Sequence, residues 1–392
     1  MGLTGAPPAT AVPGRAAQVV VPAGVTAGVA VFDRTTGTFT ERLNENARFR
    51  SASVVKLLLA LDHLRTHDPR TLTTADRTRL DSMLRSSDDG AAGYYWDLGG
   101  QTAIIDRTAA QLGLTDTVGP PAGYESYWGY VSLSAADTVR IYRYLLDTAP
   151  APVRDYVMGN LRQSTRCATD GFDQHFGIAG SFSRPWAVKQ GWSGFGGSGS
   201  CSPRPSTSVP LAAGTGPATT SAPGTALGTA SGTALGTAPG TVSGAASAAA
   251  GVDLTREALH TTGTVGTGDR AIVAVLTLHA DGTPYGTAYS AVNRLTRSLD
   301  VPGAIRPAGT WFGTWGSGVN VRLQPSATAA RVTTLPAGVE VLVSCQKLGQ
   351  EVSVPPYVNA WWAYLPQYGG WMTNIYVSSP DNQLPGVPVC AS

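Results

Sequence analysis

Apolar and polar positions change their period several times along this chain, and each change marks an element. GVAVFDRTTGTFTERLN (28–44) alternates on either side of Thr-Thr-Gly, the pattern of a β-hairpin. SASVVKLLLALDHLRTH (51–67) predicts an amphipathic to buried helix with serines at its start. Helical pattern also runs through 73–112, and a Gly/Pro/aromatic loop, GPPAGYESYWGY, occupies 119–130. SLSAADTVRIYRYLLDTA (132–149) reads as a Ser-capped helix. Strands return at 184–195, 257–266 and 270–279, and 287–299 reads as a closing helix. This order predicts an α+β domain over 26–300 whose N- and C-terminal segments share one sheet.

Three stretches break the pattern. Residues 1–25 are Pro/Ala/Gly-rich and read as a disordered N-terminal segment. At about 202–251 lies a Gly/Ala/Thr-rich insert with near-repeats GTALGTAS (224–231), GTALGTAP (232–239) and GTVSGAAS (240–247). It has too little apolar surface to offset its ordering entropy, so a flexible loop is expected rather than a solenoid. After a Pro/Gly linker at 301–310, residues 311–392 are rich in aromatics and short strands, which suggests a small all-β barrel.

Composition narrows the class. The chain has 392 residues, enough for two domains, and only 14% of them are charged. A net charge of +2 gives no nucleic-acid surface. No apolar run is long enough to span a membrane. The start of the chain shows neither a basic segment nor an apolar core, so no signal peptide is visible and an upstream start is expected. Cys167, Cys201, Cys345 and Cys390 form no close CxxC pair, which argues against a structural zinc site. Two cysteines in each half read as two disulfides and an oxidising compartment, with four buried thiols as the competing reading. One bond in each half, Cys167–Cys201 and Cys345–Cys390, follows if the halves are separate domains. The five histidines show no ligand spacing, and no cofactor is expected.

The candidate chemistry starts at Ser53-Val54-Val55-Lys56. Residues three apart share a helix face, so the hydroxyl and amine can touch, and a partly desolvated lysine can take the serine's proton. The helix start favours charge developing on the serine. Ser87-Asp88-Asp89 follows at a junction between helices, and Lys189-Gln190-Gly191 lies inside a predicted strand. Three such elements, S-x-x-K, S-D-N and K-T-G, mark class A β-lactamases and penicillin-binding proteins in this order.

FRSASVVKLLLAL, MLRSSDDGAA, LGLTDT (112–117), SLSAADTVRIYRYLL and WAVKQGWSG resemble the matching stretches of those enzymes, from about Gly28 to Leu299 without the insert. The resemblance implies a β-lactamase/transpeptidase-like sheet with a helical subdomain. It implies Ser53 as the acylated nucleophile, Lys56 as base or proton relay, and Ser87 as proton shuttle to the leaving nitrogen. Lys189 would bind the substrate carboxylate, and Asp89, Gly191, Trp192 and Ser193 would line the substrate. Backbone N–H groups of Ser53 and Trp192 would form an oxyanion hole. The implied ligand is a β-lactam or a peptidoglycan stem peptide of the D-Ala-D-Ala type.

Four departures qualify this. Asp89 replaces an asparagine, Gln190 replaces a hydroxyl residue, and the stretch between Ser53 and Ser87 is short. No E-x-x-L-N loop places a deacylating glutamate; Glu125 lies in about that place without the pattern. The missing glutamate favours a peptidase, a transpeptidase-like enzyme or a penicilloyl trap over an efficient β-lactamase, and keeps open a catalytically weak wall-binding protein. Residues 318–326, 335–343 and 361–377 resemble the bacterial SH3 family, which implies an SH3-like barrel and a cell-wall peptide as its ligand. Trp311, Trp315, Trp362 and Trp371 either line a groove or fill its core. A secreted or wall-associated monomer is expected.

Overall fold

The computed structural model describes residues 19–195, 201 and 252–391. The expected insert at 202–251, and residues 1–18 of the expected N-terminal segment, lie outside them. Val19 and Val21, inside that same segment, pack against the core.

The hairpin pattern becomes β1 (Val25–Asp33) and β2 (Thr38–Leu43), followed by a short strand β3 (Phe49–Arg50). A single 3₁₀ turn, Ala52–Val55, leads into α1 (Lys56–Leu64). The helical block is α2 (Thr74–Arg85), α3 (Asp89–Leu98) and α4 (Thr102–Leu112). Side chains cap two of these: Thr73 accepts from Asp76 N and Asp88 from Ala91 N, which satisfies free N–H groups of the first turn. Gly113 ends α4 at φ 66°, the left-handed position that glycine fills without strain. Next come β4 (Ser132–Leu133), α5 (Ala135–Arg143), α6 (Ala151–Arg162) and α7 (Ile178–Ser181). The sequence reading missed α6, which has Pro150 at its N-cap and buries Val157, Met158 and Leu161. Strands β5 (Trp186–Ser193), β6 (Ala258–Val265) and β7 (Ala271–His279) then precede α8 (Tyr285–Ser298).

The main sheet is antiparallel, in the order β2-β1-β7-β6-β5, so the N-terminal hairpin pairs with the late strand β7. Every residue of β7 is buried. Its alternate positions serve two cores: Ile272, Ala274 and Leu276 join the α1–α6 side, while Val273 and Val275 face the α7–α8 side. A strand covered on both faces has no polar side to show, hence the run AIVAVL.

The C-terminal strands are β8 (Thr310–Phe312), β9 (Val319–Arg322), β10 (Arg331–Leu335), β11 (Val341–Val343), β12 (Cys345–Val354), β13 (Tyr357–Leu365) and β14 (Gly370–Thr373). They pair as a five-stranded sheet, β10-β9-β14-β13-β12, and a β8–β11 ribbon. Among the described residues the strand pairings close no ring. Trp362 is buried in this body, whereas Trp315 stays exposed beside Tyr357 and Tyr376. The expected linker at 301–310 is packed rather than free: Val301 is buried and Ser183 N donates to Ile305 O. One apolar cluster joins α8 residues Tyr289 and Val292 to Val339, Val341 and Tyr368. Bonds link Cys167 to Cys201 and Cys345 to Cys390.

Candidate active site

Ser53 sits in the 3₁₀ turn before α1 and is only 5% exposed. The preceding Ala52 has φ 43°, an uncommon conformation for a residue with a side chain, and such strain concentrates at functional sites. All nine residues of α1 are buried, so Lys56 enters the core among leucines instead of reaching solvent. Its ammonium is received by four oxygens. Lys56 Nζ donates to Ser53 Oγ at 2.9 Å, Ser87 O at 2.7 Å, Ser87 Oγ at 3.2 Å and Asp89 Oδ1 at 2.5 Å. The Trp128 ring lies 4.6 Å from the same nitrogen.

Ser87 occupies the junction between α2 and α3, also at positive φ (55°). That conformation brings both its carbonyl and its hydroxyl to Lys56. Asp88 beside it is spent on structure, capping α3 and accepting from Ser82 Oγ. Opposite, Lys189 Nζ donates to Ser87 Oγ at 2.9 Å and to Gln190 O at 3.0 Å. Thr262 Oγ1 holds the Lys189 carbonyl from β6, and Tyr142 Oη lies 3.1 Å from that hydroxyl.

Strand alternation sorts the third motif. Lys189 and Gly191 face the Ser53 turn. A Cβ on Gly191 would meet Ser51 O and Val54 Cγ2 at 3.1 Å and Ser53 N at 3.3 Å, tighter than ordinary contact, so glycine lets β5 lie this close to Ser53 without displacing its neighbours. Ser193 falls on the same face by its period of two and is half-buried. Gln190 points the other way. Its Nε2 donates to Gln174 O and Phe176 O, which ties the side chain to the face away from Ser53. Trp192 stacks on Phe172 at 4.7 Å and donates through Nε1 to Asp170 Oδ2 at 3.2 Å.

Electrostatics follow from this burial. Desolvation pulls Lys56 below the ordinary lysine range, against the opposing pull of Asp89. Burial, and then the charge of Lys56, push Lys189 down further still. Both amines are therefore easier to deprotonate than a surface lysine. Glu125 is exposed and spends its carboxylate on Gly123 N, its backbone carbonyl receiving Trp96 Nε1. Sequence reasoning missed Trp128 and Asp170. The first lay in a stretch read only as an aromatic loop, and the second in no motif.

No family model matches the chain. Proteins named "Putative lipoprotein LppW" from Mycobacterium tuberculosis and Mycobacterium bovis are 40% identical over 175 residues, 43% of this chain. The chain spans about half the length of these curated relatives, 54% of each. Among solved structures, a class A β-lactamase from Mycobacterium abscessus is similar at a TM-score of 0.44 and 15% identity, over 70% of this chain and 92% of that one. A β-lactamase from Chitinophaga pinensis gives a TM-score of 0.45 and 15% identity, over 69% and 92%. No helix among the described residues is long and apolar enough to cross a membrane.

Proposed function

We propose that this chain is an active-site-serine acyl hydrolase acting on β-lactams or on D-Ala-D-Ala-type peptides of peptidoglycan. The observation that carries the reading is one lysine nitrogen within hydrogen-bond distance of two hydroxyls, Ser53 Oγ and Ser87 Oγ, with a second lysine on the latter. Ser53 Oγ attacks the carbonyl carbon and its proton passes to the neutral amine of Lys56. The acyl C–N bond breaks as the leaving nitrogen takes a proton through Ser87 Oγ. The ester on Ser53 is then cleaved by water. Gly191 lets strand β5 lie close to Ser53, which supports the backbone N–H groups of Ser53 and Trp192 as donors to the developing oxyanion, typically worth a few kcal/mol. Lys189 stands where a substrate carboxylate would be met, and Ser193 shares its face.

The test is incubation with a fluorescent penicillin followed by intact mass and peptide mapping. One penicilloyl adduct on the Ser53 peptide, absent in Ser53→Ala, is expected. Absence of any adduct would defeat the reading and favour a wall-binding protein without chemistry. The exposed Trp315–Tyr357–Tyr376 group is the observation favouring a recognition role for the C-terminal body, with a cell-wall peptide as its ligand and an SH3-like fold. The lipoprotein name of the mycobacterial relatives, together with two disulfides, favours a secreted or envelope location.

A further inference from the structure

A cavity of about 240 Å³ opens where the C-terminal strands meet the first domain. Its apolar walls come from separate parts of the chain. The end of α7 and the start of β5 give Phe182 and Trp186, the linker gives Pro307, and the β13–β14 turn gives Pro366. Trp186 shares a strand face with Gln190, so this cavity lies on the side of the sheet away from Ser53 and Lys189. Gln367 ties the two bodies together there, donating through Nε2 to Gly180 O and accepting at Oε1 from Leu342 N.

Two polar side chains line the same cavity and lack partners. Arg184 is exposed, lies 3.8 Å from the centre of the Trp186 ring, and spends one nitrogen on Arg162 O at 2.7 Å. Among the described residues no carboxylate pairs with it; partial burial lowers its pKa and no nearby charge offsets this. His175 is half-buried, with its ring edge-on to Trp186 at 5.9 Å. Its backbone N–H and C=O are engaged by Asp173 and Tyr289, whereas neither ring nitrogen has a partner among the described residues. Burial, and then the charge of Arg166, hold this imidazole below its ordinary range, so the ring is neutral and donates through one nitrogen. The other charges nearby are engaged: Arg166 pairs with Asp173 at 2.8 Å, and Arg306, 5.4 Å from the Phe182 ring, donates to Arg297 O and Leu299 O.

Apolar walls with a few convergent polar groups are the usual form of a small-molecule site, and junctions between domains are a usual place for one. A guanidinium without a carboxylate binds a planar oxyanion through its fork of N–H groups, and the neutral imidazole adds a donor beside it. One unmatched positive charge balances one negative charge, which a carboxylate brings and a phosphate dianion exceeds. We propose that this cavity is a second binding site, separate from the Ser53 centre, for a carboxylate on an apolar body. The carboxylate meets Arg184 and His175, and the body rests against Pro307 and Pro366. A free organic acid and the carboxyl end of a peptide both present this chemistry.

Calorimetric titration of the full chain with 3-phenylpropionate and with its neutral amide tests this at neutral pH. The acid is expected to bind with a Kd of about 1 mM or tighter, the level a ligand of this size reaches. The amide should bind about tenfold or more weakly, and Arg184→Gln should weaken the acid by a similar factor. In the wild type the ring protons of His175, one of five histidines, should shift with the acid and stay in place with the amide. That NMR signal, assigned by its loss in His175→Gln, decides alone if Arg184→Gln fails to fold. Equal affinity for acid and amide, an affinity unchanged in Arg184→Gln, a silent His175 ring, or no binding at ten times the expected Kd overturns the inference. The peptide Gly-Gly-Phe separates the two sources, and either result upholds the carboxylate chemistry: binding as tight as the acid points to chain ends, weaker binding to free acids.

Discussion

Lys56 Nζ lies 2.5 Å from Asp89 Oδ1, so the amine placed to take the proton of Ser53 is itself tied to a carboxylate. Burial and this ion pair act on Lys56 in opposite directions, and burial wins. The consequence is a base available below the usual lysine range, and a neighbour that sets how far below.

Acylation of Ser53 should therefore rise with pH along a limb whose midpoint lies below about 10.4, the ordinary lysine value. Only the neutral amine accepts the serine proton, so the rate falls as pH drops through the Lys56 pKa. Asp89 holds that pKa up. Asp89→Asn should move the limb to lower pH, and stopped-flow acylation across pH 5–10 reads it. A limb that stays in place or moves alkaline would show that Lys56 is not the titrating group.

Turnover should be limited by deacylation. Glu125 points at Gly123 N and makes no described contact with Ser53 or Lys56. A β-lactam should give a burst of one equivalent and then a slow steady state, since loss of a positioned base typically costs about 10²–10⁴-fold. Glu125→Gln should leave both phases unchanged. Rapid wild-type hydrolysis without a burst, lost in Glu125→Gln, would make Glu125 the deacylation base.

Acid should destabilise the fold through buried imidazoles, His260 and His279 among them. Thr277 N donates to His260 Nδ1, and Nε2 faces Arg50 O, which fixes a neutral ring. Burial holds His260 down to about 3 and His279 to about 4. The unfolded chain binds these protons below about 6.5, the folded chain only near 3 to 4, so stability is lost as pH falls between them. Urea midpoints should drop steadily from pH 6.5 to 4. Each histidine contributes up to about 1.4 kcal/mol per pH unit, and His260→Gln should flatten the slope by its share.

The Cys345–Cys390 bond closes a loop with a sequence separation of 45 and ties the tail to Gln346, whose N and O pair with Pro388 O and Cys390 N. Removing it in the double serine variant should cost about 2–4 kcal/mol of stability in the C-terminal body. Acylation of Ser53 should persist. Equal loss of acylation would mean that this body holds the site together.

Short-range relationships were legible without coordinates. Helix pitch alone places Lys56 three residues from Ser53 on one face, and the alternation in GVAVFD and AIVAVL marks strands. Pairing of the N-terminal hairpin with the late strands in one sheet also followed from element order. The meeting of Ser87 with Lys56 and Lys189, across separations of 31 and 102 residues, depends on how α3 and β5 pack on α1, which no local pattern encodes. The same holds for the positive φ at Ala52 and Ser87, two non-glycine residues that nothing in their identity marks. Tertiary structure also turned Gln190 inward, spent Asp88 on a helix cap and bound Asp89 to Lys56. The sequence by itself singled out the candidate groups; packing decided where they meet and that the two lysines fall below their ordinary range, because desolvation of Lys56 and Lys189 exists only once the core closes around them.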